Sequence, residues 1–263
     1  MEFLLHILAG ATVGFAIGLT GVGGGSLMTP LLLVFGYPAP VAIGTDLLYA
    51  AITKAGGAIT HHRQGNVNWK IVFLLAAGSI PVSILLHVFF LDASFQESPE
   101  FENLLTFSLG VMLIVTAIIL IFKDKMRQNA IEERPEFFML SIHRHRSAVT
   151  WIMGLLLGAC VTLSSVGAGA FGAAILLTIY TQISAVKVIG TDIAHAVPLT
   201  LIAGMGYLFS GFVDMVLLVS LLIGSLPAIH IGSKLSSRVP DKVLQRILTV
   251  VLLGLGGYYS LAP

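Results

Sequence analysis

Charged side chains are scarce in this 263-residue chain: Asp, Glu, Lys and Arg together make up 10% of it. Soluble globular domains carry about 25%. The formal net charge is only +1, and no Lys/Arg-rich tract with interleaved aromatic residues occurs, so nothing indicates a nucleic-acid partner. The single cysteine, Cys160, excludes an intramolecular disulfide and a cysteine-based zinc site. We therefore expect no metal and no cofactor.

Hydrophobic residues make up 56% of the chain and form runs long enough to cross a bilayer. Full-length spanning helices are predicted at about 3–20, 42–60, 70–91, 103–122, 148–164, 187–208, 214–232 and 243–261. Two shorter runs, at about 26–36 and 169–181, follow glycine-rich turns and cover about half of the hydrocarbon core at ~1.5 Å per residue. The predicted fold is an all-α polytopic membrane protein with about eight full helices and two half-helices.

The distribution of basic residues predicts how the chain is threaded. The segment 123–146 carries six Lys/Arg, whereas 92–102 carries four acids and no base. Because cytoplasmic loops are enriched in Lys and Arg, we place the first segment inside and the second outside. Ten crossings then put thirteen of the fourteen Lys/Arg on the cytoplasmic side of a cell (inner) membrane, with both termini outside. If the short runs re-entered instead of crossing, the basic stretch 234–246 would face outward.

The two halves of the chain resemble each other at a spacing of 146 residues. Ile43-Gly44-Thr45-Asp46 recurs as Ile189-Gly190-Thr191-Asp192, and Gly78-Ser79-x-Pro81 recurs as Gly224-Ser225-x-Pro227. The turn after the first motif helix is basic and its counterpart is acidic, which predicts opposite orientations. We therefore divide the chain into a membrane repeat at 1–122, a cytoplasmic basic loop at 123–146 and an inverted repeat at 147–263. Inverted repeats with short or glycine-interrupted segments are typical of secondary transporters, whose substrate site lies between the repeats.

Three ionisable residues fall at membrane depth beside these motifs: Asp46, Lys54 and Asp192. An isolated charge costs several kcal/mol in the bilayer, so such residues usually face a cavity or a partner. A substrate-binding role is favoured over a structural ion pair, which would have to form between helices. His195 follows Asp192 by one helical turn, and two interpretations stay open: a proton relay or ligand-orienting group, and a hydrogen-bonded packing histidine.

The glycine-rich turns are the second group of candidates for substrate binding. Helix N-termini present free N–H groups and the positive end of the helix dipole, which suits anions, and Ser26 is a plausible N-cap of the first short helix. The structural alternative for these turns is close helix packing through glycine. We assign that packing role to Gly10, Gly14, Gly18, Gly154 and Gly158. The complete set of predicted binding residues is Gly23, Gly24, Gly25, Ser26, Thr45, Asp46, Lys54, Ser164, Ser165, Gly167, Gly169, Thr191, Asp192 and His195.

The glycine turn at 21–25, the doubled Ile-Gly-Thr-Asp motif and the central basic loop resemble the sulfite exporter TauE/SafE family, also called the 4-toluene sulfonate uptake permease family. The resemblance runs from about Gly10 to Leu252. It implies an inner-membrane transporter of small sulfur-containing anions such as sulfite or sulfonates. Asp46 and Asp192 depart from the serine or asparagine usual after Gly-Thr in that family.

The predicted function is therefore a secondary transporter or exporter of a small sulfur-containing oxyanion, with proton coupling through the aspartates as one option, and no enzymatic activity. Two alternatives remain: a cation transporter (H⁺, Na⁺ or a divalent ion) that uses both aspartates, and, remotely, an intramembrane aspartyl hydrolase. The expected partners are the anion and the lipid bilayer. The oligomeric state is left open, a homodimer being one expectation.

Overall fold

The structure is a computed structural model, and it describes residues 2–20, 27–89, 98–132, 145–167, 169–235 and 241–261. These residues form ten helices, without strands. They are α1 (Glu2–Thr20), α2 (Met28–Val34), α3 (Ala39–Arg63), α4 (Trp69–Phe89), α5 (Pro99–Glu132), α6 (Arg146–Ser164), α7 (Ala170–Ile179), α8 (Ala185–Phe209), α9 (Met215–Leu235) and α10 (Asp241–Leu261).

The ten predicted segments all occur as helices, with two corrections at their ends. Helix α5 continues to Glu132, ten residues beyond the predicted end of its span, so the segment 123–146 begins as helix and not as loop. Helix α2 is shorter than predicted, and the residue that precedes it is Leu27, not Ser26. Within the described ranges, five helices are long and apolar enough to span a membrane: α4, the part of α5 up to Phe122, α6, α8 and α9. Phe3–Leu19 and Arg246–Ser260 form shorter apolar helical stretches.

Two parallel helix pairs pack through glycine. In the first pair, α1 lies on α9, where Gly10 faces the backbone of Leu221 and Gly14 faces that of Ser225. In the second pair, α4 lies on α6, where Gly154 faces Leu75 and Gly158 faces Ser79, and the Thr162 hydroxyl donates to Ser83 at 2.9 Å. A Cβ atom at any of these four glycines would collide with backbone, so the predicted packing role of the glycines is confirmed.

Helices α3 and α8 form the centre of the bundle and run antiparallel. Gly44 contacts Tyr207, Leu48 contacts Gly204, and a Cβ added at Gly57 would lie 3.7 Å from Ile193. Along the contact, residue numbers increase in α3 while they decrease in α8, so the two helices are antiparallel. Helices α5 and α10 are antiparallel by the same criterion, since Gly110 meets Tyr259 and Ser260 while Gly256 meets Ile114. Both pairs join helices that occupy equivalent places in the two halves.

The directions of the long helices show on which path the short helices α2 and α7 lie. Five-residue turns connect α3 to α4 and α8 to α9, so α9 runs parallel to α3, and α1, parallel to α9, runs parallel to α3 as well. The chain between α1 and α3, which contains α2, must therefore return across the bundle. The same holds for α7 between the parallel helices α6 and α8. This arrangement agrees with crossing short segments and supports the inverted repeat, which stays a prediction, as does the assignment of inside and outside.

Candidate functional site

The repeated Ile-Gly-Thr-Asp motif connects each half of the protein to the other half. Thr191 Oγ1 accepts a hydrogen bond from the backbone N–H of Asn68, in the turn between α3 and α4, at 2.9 Å. Thr45 Oγ1 accepts one from the N–H of Asp214, in the turn between α8 and α9, at 3.4 Å. Asn68 and Asp214 are themselves 146 residues apart, so the two contacts are equivalent. We call them the inter-repeat latches.

The glycine of each motif allows the latch to close. A Cβ at Gly190 would collide with the carbonyl of Asn66, and a Cβ at Gly44 would lie 2.9 Å from the carbonyl of Phe212. Glycine at the second motif position thus admits the opposite turn, and threonine at the third position caps it. A substrate-binding role of Thr45 and Thr191 stays a prediction, since each hydroxyl already serves a turn.

The aspartate of the first motif is held by the short helix of its own half. The Asp46 side chain is fully buried, and its Oδ2 accepts hydrogen bonds from the backbone N–H of Thr29 at 3.2 Å and from the Thr29 hydroxyl at 2.5 Å. Thr29 lies in the first turn of α2. Thr29 is not among the binding residues predicted from the sequence, although a hydroxyl residue near the start of a predicted half-helix is a visible signal.

The aspartate of the second motif takes the equivalent position at α7. The backbone N–H of Gly169, the residue that precedes α7, donates to the buried Asp192 carboxylate. Oδ1 of Asp192 lies so close to Gly172 that a Cβ there would collide with it. The anion expected at this helix start is therefore, in this structure, a carboxylate of the protein. Gly172 was also missed, because a glycine inside a short apolar helix gives no distinct signal.

Lys54 lies between the two carboxylates. It is 7% exposed and interacts electrostatically with Asp192 most strongly and with Asp46 next. The contacts of α3 with α8 place Asp46 and Asp192 thirteen helical residues apart in depth, which is about 20 Å at ~1.5 Å per residue. Lys54 is close to the middle of that interval. Two carboxylates so far apart cannot share a proton, so the aspartyl hydrolase alternative is wrong.

The residues one turn after each aspartate contact the serine of the repeated Gly-Ser-x-Pro motif. His195 Nε2 lies 2.8 Å from Ser79 Oγ, and both side chains are fully buried. In the other half the Tyr49 hydroxyl faces Ser225 without reaching hydrogen-bond geometry. Ser79 was missed as a site residue, although the doubled motif was the signal that pointed to it. His195 does have the hydrogen bond that the packing interpretation expects, and its second nitrogen has none.

The remaining predicted residues lie around this cluster or outside the description. Ser164 Oγ donates to the carbonyl of Cys160 at 2.6 Å, so it completes the end of α6. Ser165, at a left-handed φ of 57°, places its hydroxyl near Asp46. Gly167 and Gly169 have φ values of 122° and 132°, which favour glycine in this turn. Gly23, Gly24, Gly25 and Ser26 lie outside the described residues.

Five buried polar atoms of this cluster have no hydrogen-bond partner in the structure. They are Asp46 Oδ1, Tyr49 Oη, Ser165 Oγ, Asp192 Oδ1 and His195 Nδ1. Buried polar groups are normally satisfied by protein, water or ligand. These atoms lie on and around the two motif aspartates, so they mark the contact between α3 and α8 as the candidate functional site.

Comparison with known proteins agrees with a membrane transporter. The family model for the sulfite exporter TauE/SafE matches residues 6–259. The chain is 38% identical to the probable membrane transporter protein YjnA of Bacillus subtilis, covering 94% of this chain and 95% of YjnA. It is 30% identical to the probable membrane transporter protein YdhB of the same organism, covering 96% and 98%.

A more distant relative is the probable membrane transporter protein MJ0441 of Methanocaldococcus jannaschii, with 27% identity over 99% of this chain and 97% of that protein. No solved structure matches the chain. The relatives are named as transporters rather than enzymes. With ten helices among its described residues, a buried charged cluster between its halves and a family match over nearly its whole length, this protein is a multi-pass membrane transporter that belongs to the sulfite exporter TauE/SafE family.

Proposed function

We propose that this protein is a secondary transporter of a small sulfur-containing oxyanion, sulfite or an organosulfonate, which it moves together with a proton. The observation that carries the proposal is Lys54, a buried ammonium group close to the middle of the α3–α8 contact, with one carboxylate on either side in depth. An ammonium is a compact point charge that can contact an oxyanion from the middle of a membrane protein.

The charge of the cluster explains why proton coupling accompanies anion binding. With both carboxylates ionised, the charges of Lys54, Asp46 and Asp192 sum to −1. A bound monoanion would make the sum −2 in a region of low dielectric, which is unfavourable. Protonation of one aspartate keeps the sum at −1 when the anion is bound. A proton and a monoanion that move together carry no net charge, whereas an anion that moves alone gains about 2.3 kcal/mol per 100 mV when it leaves a cell with a negative interior.

Transport assays in proteoliposomes test this proposal. With the wild-type protein we expect labelled sulfite or methanesulfonate to accumulate inside the vesicles when the lumen is more basic than the outside, because the anion enters together with a proton, and not when the gradient is reversed. Lys54→Ala should abolish transport and Asp192→Asn should remove its dependence on the proton gradient. Lys70→Ala is the matched control, since that lysine is exposed at the start of α4. If both site variants transport like the wild type, these residues do not form the site.

A second candidate function is favoured by the unpartnered oxygens Asp46 Oδ1 and Asp192 Oδ1. A buried carboxylate with an unpartnered oxygen suits a cation, Na⁺ or a divalent ion, and each half of the protein has one such carboxylate. Thermal unfolding of the purified protein separates the two functions. Stabilisation by sulfite or methanesulfonate, with none by Na⁺ or divalent cations as chloride salts, supports anion transport, and the reverse pattern supports cation transport.

A further inference from the structure

We propose that the Asp192 carboxylate occupies the binding position of the transported oxyanion, and that the anion enters when this carboxylate takes up a proton and moves away. The inference rests on the proposed function. It identifies one place for the anion within the cluster, and it explains how an anion site can contain an aspartate.

The surroundings of the Asp192 carboxylate are those that an oxyanion requires. The N–H of Gly169 donates to it, Lys54 is its strongest charged neighbour, and the missing side chain of Gly172 leaves room for it. A sulfonate or sulfite carries the same type of oxygen acceptors as a carboxylate and would meet the same amide and ammonium groups.

Two fully buried atoms at this position have hydrogen-bonding capacity that the protein itself does not use. Asp192 Oδ1 and His195 Nδ1 both lack hydrogen-bond partners, while Asp192 is 1% exposed and His195 is 0% exposed. A carboxylate offers two oxygens, whereas a sulfonate offers three. A sulfonate in this place therefore has an additional oxygen for His195 Nδ1, which donates in the tautomer whose Nε2 accepts from Ser79.

The exchange keeps the charge balanced. The Asp192 carboxylate accepts one proton from the aqueous side and becomes a neutral carboxylic acid, and one monoanion takes its place beside Lys54. Before and after, Lys54, Asp46 and the occupant of this position sum to −1. On release of the anion the acid loses its proton and returns to Gly169.

The pH dependence of the Asp192 position also depends on the other titratable side chains on α8 and on the helices packed against it. Lys54 of α3 is the charged residue that acts on Asp192, and Lys187, His195 and Tyr207 lie on α8 itself. Helix α7 carries no titratable side chain. The remaining titratable side chains of the described helices packed on α8 are Asp46, Tyr49, His61, His62 and Arg63 of α3, Lys70 and His87 of α4, and Arg146 and Cys160 of α6.

Binding of methanesulfonate to the purified full-length protein tests the inference, because this probe stays a monoanion between about pH 5.5 and 7.5 while Asp and His side chains can titrate. If one proton is taken up for each anion, wild-type affinity increases by about tenfold for each pH unit of acidification. Asp192→Asn should bind independently of pH and more tightly than the wild type at pH 7.5. Glu100→Gln, an exposed acid at the start of α5, should keep the wild-type dependence.

A second variant tests whether carboxylate and anion share one place. Gly172→Ala introduces a Cβ where the Asp192 oxygen now lies. In the Asp192→Asn background it should lower methanesulfonate affinity by about fivefold or more, since overpacking costs at least about 1 kcal/mol. Thermal unfolding without anion reports whether each variant is folded.

The outcomes separate the two proposals. If the wild type binds methanesulfonate without pH dependence, or if Gly172→Ala has no effect in the Asp192→Asn background, the shared position is wrong and anion transport stands. If neither wild type nor Asp192→Asn binds methanesulfonate or sulfite at any pH tested, the proposed function is wrong as well.

Discussion

The inter-repeat latches predict that single hydroxyl deletions in the two halves have opposite effects. Thr191→Val and Thr45→Val keep the shape of the side chain and remove the acceptor of Asn68 N–H and Asp214 N–H, respectively. Because these turns lie at opposite ends of the antiparallel pair α3 and α8, each substitution should loosen one face of the protein only. Alternating access requires such independent closure of two faces.

The size of the effect follows from the contacts. A hydrogen bond contributes about 0.5–1.5 kcal/mol net, and about 0.6 kcal/mol on average between membrane helices. That corresponds to about a threefold to tenfold shift between open and closed forms of one face. Thr191 should show the larger shift, because its contact measures 2.9 Å and that of Thr45 measures 3.4 Å.

Thiol labelling measures this shift. In a Cys160→Ala background, single cysteines replace the buried residues Leu48 and Ala194, which are equivalent in the two halves at the spacing of 146. A membrane-impermeant reagent should label Ala194→Cys faster in Thr191→Val, and Leu48→Cys faster in Thr45→Val. If both threonine variants accelerate labelling of the same cysteine, or neither accelerates any, the latches do not control the two faces.

Two further predictions concern stability, measured as thermal unfolding of the purified protein. Lys54→Met should destabilise the protein by about 3 kcal/mol because two buried carboxylates lose their cation, and Asp192→Asn in the same chain should recover much of this; additive losses would contradict the reasoning. Gly158→Leu should separate α4 from α6, because even a Cβ there collides with the Ser79 backbone, whereas Gly254→Ala meets open space and should be neutral. Equal losses in the two glycine variants would argue against the packing role.

The sequence predicted the helices well because membrane-spanning segments can be recognised by their length and apolar composition. All ten segments occur, and the glycines of α1 and α6 lie at helix contacts as expected. The sequence failed at the end of α5, where the charged stretch after Phe122 resembles a cytoplasmic loop but continues as helix to Glu132. Charged residues favour water over lipid, but they do not by themselves end a helix.

The sequence identified the charged residues of the candidate site as candidates, but not the residues that contact them. Asp46, Lys54 and Asp192 stand out because ionisable groups are rare in apolar segments. Thr29, Ser79 and Gly172 do not stand out, since hydroxyl residues and glycines are common in membrane helices. Their roles depend on which helix faces which, and spacing along the chain carries little of that information.

Hydrophobicity and repetition are properties of the chain alone, so they are enough to establish a multi-pass membrane protein with a motif repeated in its two halves, and to predict three charges at membrane depth. What the repeated motif contacts depends on tertiary structure. Gly190 and Thr191 contact the turn of the other half, whereas Asp192 contacts the short helix of its own half. These partners belong to different helices and turns. The packing of α8 against α7 and against the turn that follows α3 brings them together.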